Sequence, residues 1–210
     1  CLFLLLFALH RPLRMRQWRP LALMGLLQTT GFTGLITLAL VSGGAGKTAV
    51  LSYTMPFWVM VFAWPLLGER LRGWQWPSAA ATLAGLLFIL DLQHLGGGAS
   101  SVVMAVCAGV CWALAVIVTK RLQARAPDID LLSMAAWQML FGSLPLVLLA
   151  LCWPAPPINW TSSLIGSLLY NIVLGNAVAW ILWLYALRRL SAGTTGMVSL
   201  LTPVVGALSA

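Results

Sequence analysis

The sequence predicts an all-α fold: a polytopic bundle of membrane-spanning helices made of two inverted five-helix repeats. Three observations carry that prediction. The chain is 61% hydrophobic and only 8% charged, with a mean hydropathy of +0.96. That is too little charge to coat a water-soluble body of this size, so its solvent is lipid. Its apolar residues fall in runs near the ~20 residues that cross a bilayer as a helix, without the alternation of barrel strands. Finally, one segment occurs twice. Ala45–Ala63 aligns without a gap on Ala192–Ala210, at an offset of 147 residues. Six of the nineteen pairs are identical: Ala45/Ala192, Gly46/Gly193, Thr48/Thr195, Ser52/Ser199, Pro56/Pro203 and Ala63/Ala210.

A partial apolar run at 1–9 comes first. Spans are then expected at 20–41, 46–67, 75–91, 101–120, 131–152, 163–187 and 192–210. Lysine and arginine orient them. Arg11, Arg14, Arg16 and Arg19 precede the first full span, and Arg70 and Arg72 follow the second. Lys120, Arg121 and Arg125 follow the 101–120 span, and Arg188 and Arg189 follow the 163–187 span. The intervening loops near 42–46, 92–100 and 153–162 hold no basic residue. Eleven of the twelve basic residues therefore share one side, which the positive-inside rule makes cytoplasmic; Lys47 is the exception. Trp18, Trp74 and Trp76 flank that side and Trp153 and Trp160 the other, as interfacial anchors do.

The charge pattern turns the repeat into an inversion. The match extends back through the preceding span, with Leu21 on Leu168, Leu27 on Leu174 and Leu35 on Leu182. Yet the 20–41 span runs from inside to outside while 163–187 runs the other way. An odd number of helices per repeat forces this, and two halves of opposite orientation can exchange shapes to give alternating access. Residues 1–91 are expected to hold the first repeat, lacking its first helix and most of its second. Residues 101–210 are expected to hold the second, lacking its last helix. Cys1 and Ala210 both lie inside apolar runs, so the chain reads as a fragment of a ten-helix protein.

Several functions are excluded by residue chemistry. The net charge of +8 sits in short clusters between apolar spans rather than along one face, which argues against nucleic acid. Cys1, Cys107, Cys111 and Cys152 lack metal-ligand or disulfide-framework spacing, so no metal or cofactor is expected. Glu69, Asp91, Asp128 and Asp130 all fall at span ends or in loops. No buried acid or histidine is available for proton coupling or intramembrane hydrolysis, so an enzyme is not expected. The expected partners are the lipid bilayer and a small-molecule substrate; nothing in the sequence speaks to oligomeric state.

The candidate site residues follow from polarity within the spans. Gln28 and Thr29, with Thr30 and Thr33, make a polar patch on 20–41; Asn171 and Asn176, with Tyr170, make its counterpart on 163–187. Asn176 falls on Thr29. Polar groups facing lipid are costly, so both patches should point inward, to line a cavity or to bond neighbouring helices. Pro56 and Pro203 sit mid-span, where each should kink its helix and free the carbonyl four residues earlier, on Ser52 and Ser199. Both prolines are gate candidates. Tyr53 and Trp112, with Trp58 and Trp183, can form aromatic walls or pack as core. Ala105, Gly109 and Ala113 make a stripe of small residues suited to close helix packing.

Two stretches together resemble a known family. Ala49-Val50-Leu51-Ser52-Tyr53-Thr54-Met55-Pro56-Phe57, then Leu67-Gly68-Glu69-Arg70-Leu71, then Ala84-Gly85-Leu86 look like the EamA-type repeat of the drug/metabolite transporter superfamily. Residues from Trp112-Ala113-Leu114 to Thr202-Pro203-Val204-Val205-Gly206-Ala207 are similar to the same repeat. The resemblance implies a ten-helix bacterial inner-membrane carrier with cytoplasmic termini, often an exporter of amino acids or other metabolites. It also implies a central cavity lined by spans equivalent to 20–41, 46–67, 101–120, 163–187 and 192–210. The alternatives are a facilitator of the same fold, or a sensor or scaffold that no longer transports.

Overall fold

The computed structural model describes residues 17–43, 51, 54–69, 76–77, 80, 84, 98–153 and 158–199. Among them every regular element is helical. Helix α1 (Trp18–Gly25) passes through a π-helical stretch, π1 (Leu26–Thr33), into α2 (Gly34–Gly43). After it come α3 (Met55–Leu67), α4 (Gly98–Arg125) and α5 (Leu131–Cys152). Helix α6 (Ser162–Tyr170) then continues through π2 (Asn171–Val178) into α7 (Ala179–Arg189), and α8 (Ala192–Ser199) closes the described chain. Among the described residues, four segments are long and apolar enough to cross a membrane: Trp18–Val41, Ser100–Arg125, Leu131–Cys152 and Ser162–Arg189. They coincide with the spans expected at 20–41, 101–120, 131–152 and 163–187. Most of the expected 75–91 span, the start of 46–67 and the end of 192–210 lie outside the described residues.

Local chemistry sets the ends. The Asp130 carboxylate accepts the Ser133 N–H at 2.9 Å and starts α5. The Thr161 hydroxyl accepts the Leu164 N–H at 3.2 Å and starts α6. Each satisfies one of the first-turn donors that have no partner within their own helix. Helix α3 stops at Gly68, whose φ of 71° is left-handed, a conformation that glycine adopts without a Cβ penalty.

Packing reveals direction. At one end of the bundle, Leu21 and Met24 at the start of α1 share a core with Leu122 near the end of α4, Leu132 at the start of α5, and Leu184 near the end of α7. At the other end, Ala39 of α2 packs with Leu51 and with Ala105 near the start of α4. The chain therefore crosses one way in α1–α2, back in α4, out again in α5 and back in α6–α7. Leu21 matches Leu168 in the repeat, but its spatial neighbour is Leu184. The two matched spans run in opposite directions. The described basic residues Arg19, Lys120, Arg121, Arg125, Arg188 and Arg189 all cluster at the end shared by Leu21 and Leu184.

Helices α1 and α5 cross at backbone distance. A Cβ built on Gly25 would stand 2.3 Å from the Gln138 carbonyl oxygen, and one on Gly142 would stand 2.3 Å from that of Gly25. Thr30 of π1 donates its hydroxyl to the Gly142 carbonyl at 2.6 Å, which fixes the crossing. The expected small-residue stripe also packs closely. Ala105 and Ala113 are fully buried, and a Cβ on Gly109 would meet the Thr54 hydroxyl at 3.2 Å.

Candidate functional site

The two π-helical stretches are the most informative local feature of the molecule. Moved by the repeat offset, Asn171–Val178 falls on residues 24–31 and so overlaps Leu26–Thr33. The inverted repeats therefore depart from α-helical geometry at the same place, and each departure holds that repeat's polar patch. A π turn widens the helix and rotates side chains relative to an α ladder, and such turns recur at functional sites.

The two patches have different surroundings. On π1, Gln28 is 4% exposed, and its Nε2 has no hydrogen-bond partner among the described residues. Thr29 lies against the α5 crossing, where a Cβ on Gly142 would come within 2.5 Å of its own Cβ. On π2, Asn171 and Asn176 are exposed and bond each other. The Asn176 Nδ2 donates to the Asn171 carbonyl at 3.0 Å and to its Oδ1 at 2.6 Å. A spacing of five residues is the π-helical repeat, so this pair braces the widened turn. One patch is covered by α5 and the other lies open.

Beside π1 stands an aromatic wall. Trp112, only 6% exposed, tilts against Trp183 with ring centroids 5.1 Å apart. Trp58 stacks on Phe62 at 6.2 Å. These four rings and Phe32 of π1 all belong to one cluster with Val59, Ala63, Ala113, Val116 and Ile117. Gly31 lets π1 approach α4, because a Cβ there would meet the Cys111 Sγ at 3.1 Å.

The first proline segment takes a different form from the one expected. Pro56 lies in the first turn of α3 rather than in mid-helix. The chain turns just before it, with the Thr54 N–H and hydroxyl both donating to the Leu51 carbonyl at 3.1 and 2.7 Å. In the first turn a missing N–H removes no helical bond, so proline opens this helix instead of bending one. Pro56 packs on the second repeat: a Cβ on Gly196 of α8 would contact its Cβ at 3.5 Å. The Ser199 hydroxyl donates back to the Gly196 carbonyl of its own helix at 2.6 Å. Ser52, Tyr53 and Pro203 lie outside the described residues.

The structure adds residues that the sequence reading passed over. Glu69 looked like a helix terminus; its carboxylate accepts the N–H groups of Ala192 and Gly193 at 2.8 and 3.4 Å. Lys120 looked like an orienting charge; its ammonium donates to the Leu187 and Leu190 carbonyls at 2.7 and 2.6 Å. The available signal for Glu69 is its position after Leu67-Gly68, shortly beyond one repeated segment, with the repeated Ala-Gly pair opening the other.

Comparison with known proteins agrees with this architecture. The chain is 30% identical over 97% of its length to the uncharacterized transporter YoaV of Bacillus subtilis, of which it covers 71%. It is 28% identical over 97% of its length to the transporter YvbV of the same organism, covering 68% of that protein. A protein of Salmonella typhimurium named probable amino-acid metabolite efflux pump is 27% identical over 79% of the chain, which spans 58% of it. No solved structure matches. The EamA-like transporter family matches residues 1–91 and 99–210. The chain thus belongs to the EamA-like transporter family and is a multi-pass integral protein of the bacterial cell membrane, a transporter and not an enzyme.

Proposed function

We propose that this protein is a secondary transporter that exports small organic metabolites, amino acids among them, by alternating access of two inverted repeats. Residues 1–91 supply the first repeat and 101–210 the second. The observation that carries the reading is the opposed direction of the two matched spans, each with a π-helical stretch at the same repeat position. Inverted halves can exchange conformations, so the solute path opens to one side as it closes to the other. The arginine-rich end is the cytoplasmic one by the positive-inside rule. Gln28 and Thr29 on π1 and Asn171 and Asn176 on π2 are the polar lining, with Ser52, Tyr53, Trp112 and Ser199 completing the walls and Pro56 and Pro203 at the gates. Export as the direction is favoured by the name of the Salmonella relative.

A facilitator that needs no proton is the second reading. It is favoured by the carboxylates Glu69, Asp128 and Asp130, which among the described residues stand only at the arginine-rich end. Purified full-length protein in liposomes, tested with amino acids, amines and nucleobases, examines both. A flux that responds to an imposed proton gradient supports coupling, and one that only equilibrates supports the facilitator. No flux, with no ligand-dependent rise in thermal stability, overturns both in favour of a sensor or scaffold.

A further inference from the structure

We infer that Glu69 and Lys120 form a latch that holds the arginine-rich end of the bundle shut. The latch closes on the tight junction at which α7 ends and α8 begins. Helix α7 ends at Arg189 and α8 starts at Ala192, so unpaired carbonyls and unpaired N–H groups lie within a few residues of each other. These helix ends carry partial charges of opposite sign. The structure sets a complementary full charge on each. The Lys120 ammonium, from α4, holds the Leu187 and Leu190 carbonyls. The Glu69 carboxylate, from the turn after α3, holds the Ala192 and Gly193 N–H groups.

The latch crosses from one repeat to the other. Glu69 lies six residues past the first copy of the proline-bearing segment, which ends at Ala63, and Ala192-Gly193 opens the second. Solute could pass this end only if α3 and α8 moved apart, and that motion must break the carboxylate's bonds. Neighbouring contacts reinforce the same closure. The Arg121 guanidinium donates to the Leu66 carbonyl at 2.9 Å, and the Gln123 amide to the Leu184 carbonyl at 3.0 Å. The Arg188 guanidinium binds the Ile129 carbonyl. The two residues that the carboxylate holds, Ala192 and Gly193, are small and buried. This gives the repeated Ala-Gly pair a physical role.

The inference depends on the alternating-access reading for its purpose, while its test does not involve flux. In full-length protein without its native cysteines, a single Val116→Cys lies in the buried cluster above the latch, where the valine is 2% exposed. A membrane-impermeant maleimide is applied from the arginine-rich side in vesicles of defined orientation. Glu69→Gln, which keeps the shape and removes the charge, and Lys120→Met should each speed labelling about tenfold, the scale of one lost charge-assisted hydrogen bond. Labelling of Ala135→Cys, in the separate buried core that α1 and α5 share at the same end, should be unchanged, which separates an opened gate from a loosened fold. Unaltered labelling at position 116 in both variants overturns the latch, as does a parallel rise at position 135. A protein that labels as expected yet shows no flux would keep the latch and lose the transport reading.

Discussion

A hydrogen atom in place of a methyl group decides how near α1 and α5 can come. A Cβ on Gly142 would meet both the Gly25 carbonyl oxygen and the Thr29 side chain well inside contact distance, and a backbone neighbour cannot rotate away. Gly142→Ala should destabilise the protein by about 3 kcal/mol, the upper range for overpacking, read as a loss of thermal stability in detergent. Gly175→Ala should differ by less than about 1 kcal/mol, because a Cβ there makes only ordinary contact with Asn171 at 3.7 Å or more. Trp112 offers a similar test. Buried against Trp183, it should cost about 3–5 kcal/mol of stability when replaced by alanine. Both glycines stand in the sequence as unremarked small residues. Only the approach of a distant helix makes one indispensable and the other replaceable.

Among the elements, the interrupted spans separate what periodicity can show from what it cannot. Hydropathy locates Trp18–Val41 and Ser162–Arg189 as crossings because lipid demands a continuous apolar surface of sufficient length. It does not report the π stretch within each, because one extra residue in a turn leaves composition unchanged and alters only the ladder. Asn171 and Asn176, five residues apart, are the nearest thing to a signal. As an exposed pair they should matter little to stability: Asn176→Ala should change it by less than about 1 kcal/mol. On the proposed reading the same change lowers flux severalfold, and unaltered flux would remove Asn176 from the lining. Pro56 makes the opposite point. A proline between apolar runs suggests a bent helix, but the Leu51–Thr54 turn places it in the first turn of α3. Pro56→Ala should therefore shift stability by under about 1 kcal/mol, where removing an interior kink would change it more.

For the whole molecule, direction of crossing is the property that links fold to function. The shared packing of Leu21, Leu122, Leu132 and Leu184 brings four helix ends to one level, and the basic residues mark that level as one face. A reporter enzyme fused after Leu95 should be active outside the cytoplasm and one fused after Ala126 inside; the reverse pattern would invert the proposed path. The latch closes this same face. Toward the other face, α6 and π2 bury little beyond Ala177.

Class and the relative orientation of the described crossings were legible in the sequence, because each rests on a rule that acts along the chain. Lipid requires apolar runs of fixed length, arginine stays on the side from which it cannot be translocated, and a duplicated segment with an odd number of helices must invert. Tertiary structure alone decided which polar groups are covered, which glycines touch backbone, and that Glu69 reaches the start of α8 in the other repeat. Those contacts join residues more than a hundred positions apart. No local pattern specifies such a distance, because it depends on where two separate helices come to rest.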